Sequence, residues 1–266
     1  MHSEEVYKQV LPENYFVEFW KAGERNDGRA FSQVRDVTYE RLSENSAIIN
    51  FGGNVIQSSH SFFTDRFRIM PNDENRIFDL SSKISIEFED YPVTELLESS
   101  RYLLINLITS RYSNVLTALP PNNGLKITLK CLFENGNLLN ATCFASLLQF
   151  YLFAMKSYCF FLDQCDLFMP IITKGFYLAE KRATLWLADP SLDEEKLALH
   201  NKKGSTVLAF CKLGSKDKKL YKLSGGHIEE NDLDSLEQVL GSAVEGIAQS
   251  LPYSLAQDQN ALYKLK

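Results

Sequence analysis

The stretch Asn26-Asp27-Gly28-Arg29-Ala30-Phe31-Ser32-Gln33-Val34-Arg35-Asp36 combines a tight polar turn with two arginines, just after an aromatic-rich segment. Asp-Gly indicates a turn because glycine adopts backbone angles that residues with a Cβ resist. Physical chemistry alone favours a turn that leads into a strand. The stretch is also the first of several motifs whose order along the chain decides the fold.

The composition is that of a packed globular protein with a mild acidic balance. The 266 residues are 45% hydrophobic, the net charge is −6 and the pI is about 5.4. A protein that binds nucleic acid by itself needs clustered lysines and arginines to contact phosphates. The charge therefore argues against a broad basic face. It still allows a local basic patch, or a subunit whose partners supply the positive charge.

Cysteine and histidine spacing predicts neither a disulfide framework nor a metal site. No Cys-x-x-Cys pair occurs and the histidines are scattered (Cys131, Cys143, Cys159, Cys165, Cys211; His2, His60, His200, His227). We expect free thiols in a reducing compartment and no cofactor. The apolar stretch 144–161 is interrupted by polar residues, which predicts a buried helix rather than a membrane span. Residues 1–10 lack the apolar core of a signal peptide.

Hydrophobic periodicity predicts one α+β domain over residues 1–266. Helices are expected over about 12–22, where Pro12 suits a first turn, over 96–112 with Thr94 as N-cap, over 141–158 and over about 232–250. No linker divides the chain, and the order of the elements predicts antiparallel hairpins on one side and helices on the other. The predicted strands lie between these helices (33–40, 47–51, 54–58, 62–70, 84–88, 125–133, 167–176, 183–188, 207–212, 218–223).

Four short blocks, taken in order, resemble the RNase PH-like subunits that form the ring of the eukaryotic RNA exosome. The resemblance spans 11–251 and implies the RNase PH-like fold, also called ribosomal protein S5 domain 2-like, in which mixed sheets are packed with helices. Domains of this kind build phosphorolytic RNA nucleases and exosome rings. The blocks are Asn14-Tyr15-Phe16 through Asn26-Asp27-Gly28-Arg29 to Arg35; Gly53-Asn54-Val55; Glu134-Asn135-Gly136-Asn137-Leu138-Leu139-Asn140-Ala141; and Leu187-Ala188-Asp189-Pro190-Ser191-Leu192-Asp193-Glu194-Glu195.

The resemblance implies a phosphate site at the turn before the buried helix, and this chain departs from it. Active members read Gly-Gly-Thr-Arg there, and the Thr and Arg grip the phosphate. Here the turn reads Gly136-Asn137-Leu138-Leu139, and leucine desolvates phosphate without binding it. Active members carry a second arginine on the preceding helix. The corresponding Leu104-Ile105-Asn106 has none, although Arg101 and Arg111 flank it.

Active members also place carboxylates at the end of the strand in the fourth block, where this chain has Asp189 and Asp193. We favour the simpler interpretation. Asp189-Pro190 ends a strand, and Asp193-Glu194-Glu195 is a solvated run that opens a helical turn. An acid without a phosphate site does not support phosphorolysis. Arg29 and Arg35 are then structural or interface residues.

RNA contact is expected to be weak. Family members often carry a basic loop that faces the pore of the ring, whereas residues 87–95 are acidic here. Arg66 and Arg68 alternate on a predicted strand and could meet phosphates, although arginines on a solvated strand face are the commoner explanation. Whether RNA touches this chain stays open.

The resemblance and its departures together predict a non-catalytic structural subunit of an exosome core ring, with no catalytic, cofactor-binding or metal-binding residues. Such a subunit supports 3′-to-5′ RNA processing and degradation, including rRNA maturation and mRNA turnover, by forming the RNA-threading channel. The alternative is an active phosphate-dependent 3′-to-5′ exoribonuclease whose site is shared across a subunit interface.

The implied partners are other RNase PH-like subunits in a hetero-hexameric ring, S1/KH cap subunits, a hydrolytic exosome nuclease and RNA, the last directly or indirectly. No membrane contact is expected, and the implied location is the nucleus, including the nucleolus, and the cytoplasm. The aromatic side chains of the opening helix either contact a partner or cover the domain's own core (Tyr15, Phe16, Phe19, Trp20).

Overall fold

The computed structural model describes residues 3–64, 80–90, 94–120, 123–158, 168–178, 183–198, 204–212, 217–226 and 228–250. These residues form two β-sheets and seven α-helices. The helices are α1 Ser3–Val10, α2 Pro12–Ala22, α3 Glu95–Arg111, α4 Ser113–Thr117, α5 Leu138–Tyr158, α6 Leu192–Ala198 and α7 Glu230–Ser250. The strands are β1 Val37–Arg41, β2 Ser46–Phe51, β3 Asn54–Thr64, β4 Ile84–Glu89, β5 Asn123–Phe133, β6 Phe168–Leu178, β7 Ala183–Ala188, β8 Ser205–Lys212 and β9 Lys218–Gly225.

The first sheet has five strands in the order β1-β2-β3-β5-β4. All neighbours are antiparallel except β4 and β5, which run parallel. In β2, Ala47, Ile49 and Phe51 are buried and alternate with partly exposed residues, so the sheet turns one face to the core. Gly52 and Gly53 both adopt positive φ angles and make the tight turn into β3.

The second sheet has four antiparallel strands in the order β7-β6-β8-β9. Its central strands β6 and β8 are buried on both faces over most of their length. The edge strand β9 instead alternates between exposed and partly exposed residues. The sheet therefore needs apolar cover on two sides, and helices supply it.

Helix α5 packs against β2, β3 and β5 of the first sheet and against β6 of the second. Residues 141–150 are all buried, as expected for a largely apolar helix that packs against two sheets. The stretch Leu138–Lys156 is long and apolar enough to cross a membrane, but 83% of its apolar window is buried inside this fold. The prediction placed the helices on one side of the sheets, whereas α5 lies between them.

The opening helix α2 covers the domain's own core. Tyr15, Phe16 and Trp20 are buried, and they form a small cluster with Phe176, Leu187 and Leu197 of the second sheet and α6. Gly23 ends α2 with a φ of 87°, and the N–H groups of residues 23 and 24 bond to the last turn. The suggestion that these three aromatic side chains are exposed for a partner is therefore wrong.

The α+β prediction of mixed sheets with packed helices is confirmed, and several boundaries differ. Helix α5 begins at Leu138 rather than at 141, so both leucines of the turn lie in its first turn. Strand β3 continues to Thr64 where a break after Ser58 was expected, and the rest of the predicted strand 62–70 lies outside the described residues. The short helices α1 and α4 were not predicted as separate elements, because five to eight residues carry little periodic signal, whereas α6 begins at the helical turn that was predicted at 193–195. The single-domain assignment stays a prediction.

Candidate functional site

The Asp-Gly turn after α2 folds as expected and orients one arginine. Gly28 has a φ of 80°, and its N–H donates to the carbonyl of Arg25 at 2.9 Å. The carboxylate of Asp27 accepts from the backbone N–H of Arg29 at 3.2 Å and from its Nε at 2.9 Å. Burial alone would raise the pKa of Asp27, but the hydrogen bond and charge of Arg29 lower it. The turn therefore holds the Arg29 side chain towards β7.

Arg25, which the sequence did not single out, is the most deeply buried arginine of this region, with 1% of its surface exposed. Its guanidinium forms a two-pronged ion pair with the fully buried Glu194, including an Nε–Oε1 contact of 2.9 Å. Its remaining donors reach the carbonyls of Ala188 at 2.8 Å and Asp189 at 3.0 Å. Glu194 also accepts from the N–H of Ser191 at 2.8 Å and so caps α6. Arg25 thus ties the end of α2 to the start of α6.

Asp189 is the centre of a second ion pair and does more than end a strand. Asp189 is fully buried and has a φ of 46°. Arg35 donates three hydrogen bonds to its carboxylate, from Nε and Nη2 at 2.8 Å each and from the backbone N–H at 2.9 Å. Asn137 Nδ2 donates at 2.7 Å and Arg29 Nη1 at 3.2 Å. Burial alone would raise the pKa of Asp189, but these donors, led by Arg35, lower it. The structural interpretation of Arg29 and Arg35 fits this geometry.

The turn before α5 is in contact with the three other blocks. Gly136 has a φ of 73°, and a Cβ there would lie 2.3 Å from the backbone nitrogen of Leu192, so only glycine fits. Asn54 clamps the turn, because its Nδ2 donates to the carbonyl of Gly136 at 2.6 Å and its Oδ1 accepts from the N–H of Asn135 at 2.8 Å. Arg35 donates to the carbonyls of Asn135 and Gly136. The four sequence blocks therefore meet at one place, and each contributes to its packing.

The N-terminus of α5, where the resemblance places phosphate, is closed by a carboxylate of the chain itself. The N–H of Asn137 donates to Oε2 of Glu195 at 2.8 Å. Exposed N–H groups at a helix N-terminus favour an anion, and Glu195 takes that position. Burial raises the pKa of Glu195, and the Asn137 N–H and the charge of Lys174 only partly oppose it. Sequence reasoning assigned Glu195 to a solvated run, and only the approach of α6 to α5 reveals its contact.

A pocket of about 150 Å³ lies beside Glu195, between the first turns of α3 and α5 and the second sheet. Among the residues that the structure describes, the charged side chains that line this pocket are Glu134, Glu195 and Lys174. Lys174 Nζ donates to Oγ1 of Thr206 at 2.8 Å, and burial lowers its pKa. Pockets for drug-sized ligands hold about 300–1,000 Å³, so this one is too small for a nucleotide. The remaining lining is largely aliphatic (Thr94, Leu96, Leu97, Leu138, Leu139, Ile172, Thr206).

The other sequence candidates lie away from this pocket. Leu104 is buried in the core, Arg101 pairs with Glu98 on the surface of α3, and Arg111 pairs with Asp217 at 3.3 Å. Asp193, the second carboxylate considered as an acid, pairs with Lys8 at 2.5 Å on α1. The structure therefore brings none of the flanking arginines to the turn before α5.

The acidic segment before α3 and the histidines add no site among the described residues. Glu87 pairs with Lys126 at 2.5 Å and Asp90 with Lys130 at 2.8 Å, which are surface pairs. His60 packs on Phe153 inside the core, and burial lowers its pKa. No group of three potential metal ligands occurs in the part of the chain that the structure describes. Arg66, Arg68, Cys159, Cys165, His2, His200 and His227 lie outside it.

No protein-family model matches the sequence, and no curated protein matches it either. Several solved structures do match this chain. An archaeal exosome core chain is 18% identical with a TM-score of 0.59, and the match covers 94% of this chain and 99% of that one. A chain of the Archaeoglobus fulgidus exosome with RNA bound to the active site is 16% identical with a TM-score of 0.58 and coverages of 91% and 96%. Rice (Oryza sativa) Rrp46 is 18% identical with a TM-score of 0.54 and coverages of 85% and 97%.

These likenesses extend over nearly the whole length of each chain. They show that this protein has the RNase PH-like fold of exosome core subunits, and the predicted fold is confirmed. At such low identity the likeness concerns the fold, so the activity has to be argued from the residues at the site.

Proposed function

We propose that this chain is a non-catalytic subunit of an exosome-type ring that takes part in 3′-to-5′ RNA processing and degradation. One observation carries the proposal. At the N-terminus of α5, the N–H of Asn137 is bonded to Glu195, and the next two residues are leucines. Phosphorolysis needs a phosphate dianion held by arginine forks and backbone N–H groups. A carboxylate in that position repels the dianion.

The charge of the surrounding residues supports the same conclusion. The arginines near the turn are engaged by the chain's own carboxylates: Arg25 by Glu194, and Arg29 and Arg35 by Asp189. Freeing a buried, paired arginine to hold phosphate would leave a buried carboxylate uncompensated, which is strongly unfavourable. The cluster therefore stabilises the fold, which a ring subunit keeps even without catalysis.

The proposed partners are the other RNase PH-like subunits of a hetero-hexameric ring, cap subunits with S1 and KH domains, a hydrolytic exosome nuclease and RNA in the channel. The proposed location is the nucleus, including the nucleolus, and the cytoplasm. The exosome core structures that share the fold support the ring partners. Affinity purification of the tagged chain tests this, with ring subunits expected at equal stoichiometry. Recovery as a partnerless monomer would contradict the proposal.

The alternative function is a phosphate-dependent exoribonuclease whose site is completed by a neighbouring subunit. Lys174 is the observation that favours it, because it brings a cation to the pocket. A phosphorolysis assay on the purified chain, with and without its ring partner, distinguishes the two functions. We expect no phosphate-dependent release of nucleoside diphosphates. Release that Lys174→Met abolishes, with the fold intact by circular dichroism, would establish the alternative.

A further inference from the structure

The pocket beside Glu195 contains a lysine that a central strand of the second sheet holds in place. Lys174 is the only charged residue of β6, and the six residues before it in that strand are all buried. It lies directly opposite Thr206 of β8 in the strand register, and its Nζ donates to Oγ1 of that threonine at 2.8 Å. The side chain lines the pocket, so the amine is presented there at a fixed position.

Burial keeps this amine closer to its neutral form than the amine of an exposed lysine. It lowers the pKa of Lys174, and the charge of Glu195 opposes that shift only in part. A neutral amine has a free electron pair, and desolvation in an apolar pocket is one of the ways in which proteins make a lysine nucleophilic. Lys174 therefore has the environment of a nucleophile.

A carboxyl group and aliphatic walls complete the pocket. The Asn137 N–H donates to Oε2 of Glu195 at 2.8 Å and so fixes this carboxyl group in the lining. Burial raises the pKa of Glu195, which favours the protonated acid. Leu138, Leu139 and Ile172 supply apolar surface. A cavity of about 150 Å³ accommodates a molecule of roughly the size of benzene, so the pocket suits a small neutral molecule with a short hydrocarbon tail.

We propose that this pocket captures a short-chain aliphatic aldehyde as an imine of Lys174, with Glu195 as the proton relay. The hydrocarbon tail lies on Leu138, Leu139 and Ile172, and the carbonyl carbon lies at Nζ. This covalent site goes beyond the proposed role in a ring. It depends on the pocket alone, so it can fail while the proposed function stands.

Imine formation at this site needs no oxidant or reductant. The electron pair of Nζ forms a bond to the carbonyl carbon, and the carbonyl oxygen takes a proton from the carboxyl group of Glu195, which recovers one from the nitrogen. A second proton transfer by the same route releases the hydroxyl group as water and leaves the C=N bond. Both hydrogen atoms of the water come from the amine. Positioned acid and base groups contribute typically about 100- to 10,000-fold to such transfers.

Reductive trapping on the full chain tests the inference, with n-butanal as the probe and cyanoborohydride to fix the imine as a butylamine. Peptide mapping by mass spectrometry measures the rate at each lysine. Lys196, exposed on α6, is the internal comparison, and we expect Lys174 to react about tenfold faster or more. Naphthaldehyde is too large for the pocket and should label Lys196 but not Lys174. Equal rates with butanal, or labelling of Lys174 by naphthaldehyde, would overturn the inference.

Two variants separate the proton relay from a simple effect of charge. The charge of Glu195 raises the pKa of Lys174, so through charge alone Glu195→Gln would leave more neutral amine and speed the labelling. We expect the labelling to slow about tenfold or more instead, because the relay is lost.

The amide of Glu195→Gln keeps an oxygen for the Asn137 N–H, so the thermal midpoint should stay close to that of the wild type. Glu245→Gln, on the exposed face of α7, removes the same charge elsewhere and should leave the rate unchanged. Labelling of Lys174 that is as fast or faster in Glu195→Gln would contradict the inference.

Discussion

Asp189, directly after β7, is fully buried, and Glu195, six residues later in α6, is partly buried, and their pKa values move in opposite directions. Burial raises both. At Asp189 the donors of Arg35, Asn137 and Arg29 outweigh burial, and the pKa falls below the usual value. At Glu195 one backbone N–H and the charge of Lys174 do not outweigh burial, and the pKa rises. The number of donors, rather than the depth of burial, decides the direction of the pKa shift.

The difference also sets the sign of the pH dependence. The lowered pKa of Asp189 contributes stability that is present above the value of an unfolded Asp, 3.8, and is lost as the pH falls through the lower folded value. The raised pKa of Glu195 acts in the other direction. Its cost is absent below the unfolded value, 4.5, and appears as the pH rises through the folded value. The ion-pair cluster thus stabilises the fold, whereas the pocket retains an unfavourable charge.

The largest effect is expected at the pair of Arg25 and Glu194. Arg25→Met removes the cation and leaves a fully buried carboxylate without its partner. Breaking a buried pair in this way costs about 3–5 kcal/mol of unfolding free energy, measurable by urea denaturation. Arg101→Met removes one partner of a surface pair on α3 and should cost at most about 1 kcal/mol. Similar losses in the two variants would contradict the structural assignment of Arg25.

Asp189→Asn tests the second ion pair. The amide keeps one acceptor but loses the charge that Arg35 and Arg29 face, so we expect a loss of about 1.5–3 kcal/mol at neutral pH. The wild type should lose stability between about pH 5 and pH 2, whereas the variant should lose less over that range. Thermal unfolding at a series of pH values measures both effects. Parallel pH profiles in wild type and variant would exclude a lowered pKa at Asp189.

Gly136→Ala tests the turn that the cluster and the pocket share. The left-handed conformation costs a residue with a Cβ about 1–2 kcal/mol, and the approach of Leu192 adds to that cost. Gly28→Ala is the matched control, because Gly28 also has a positive φ but a Cβ there would have no atom within 4 Å beyond its chain neighbours. We expect Gly136→Ala to be the more destabilising in denaturant titrations. Equal losses of unfolding free energy in the two variants would mean that the backbone around Gly136 shifts to accommodate the added Cβ at no further cost.

Much of this arrangement was predictable from the sequence, and the reasons for the rest are specific. Thr94 was expected to cap α3, and its hydroxyl does accept from the N–H of Leu97 at 3.2 Å. The order of the blocks predicted the fold through its resemblance to RNase PH-like subunits, and the turns and strand starts in those blocks are local patterns. Arg25, in contrast, lies outside any local pattern, since its partner Glu194 is 169 residues away.

The carboxylates were misjudged for the same reason. Asp193-Glu194-Glu195 looks like an acidic first turn of a helix, which is usually solvated. The three side chains have three separate environments: Asp193 pairs with Lys8 at the surface, Glu194 is buried against Arg25, and Glu195 faces the pocket. Helical geometry points successive side chains in different directions, and only tertiary contacts determine which direction is buried.

The smallest effects concern the charges around Glu195, and they sharpen the contrast with Asp189. Lys174→Met removes an opposite charge, so the pKa of Glu195 should rise further. Glu134→Gln removes a like charge, so that pKa should fall. Both changes should be smaller than the effect of burial, which is the largest cause. Carboxyl-carbon NMR titration of Glu195 in the two variants measures them, with Glu245→Gln as the control that leaves the titration unchanged. Shifts of the same sign in Lys174→Met and Glu134→Gln would mean that the two side chains act on Glu195 through packing rather than through their charges.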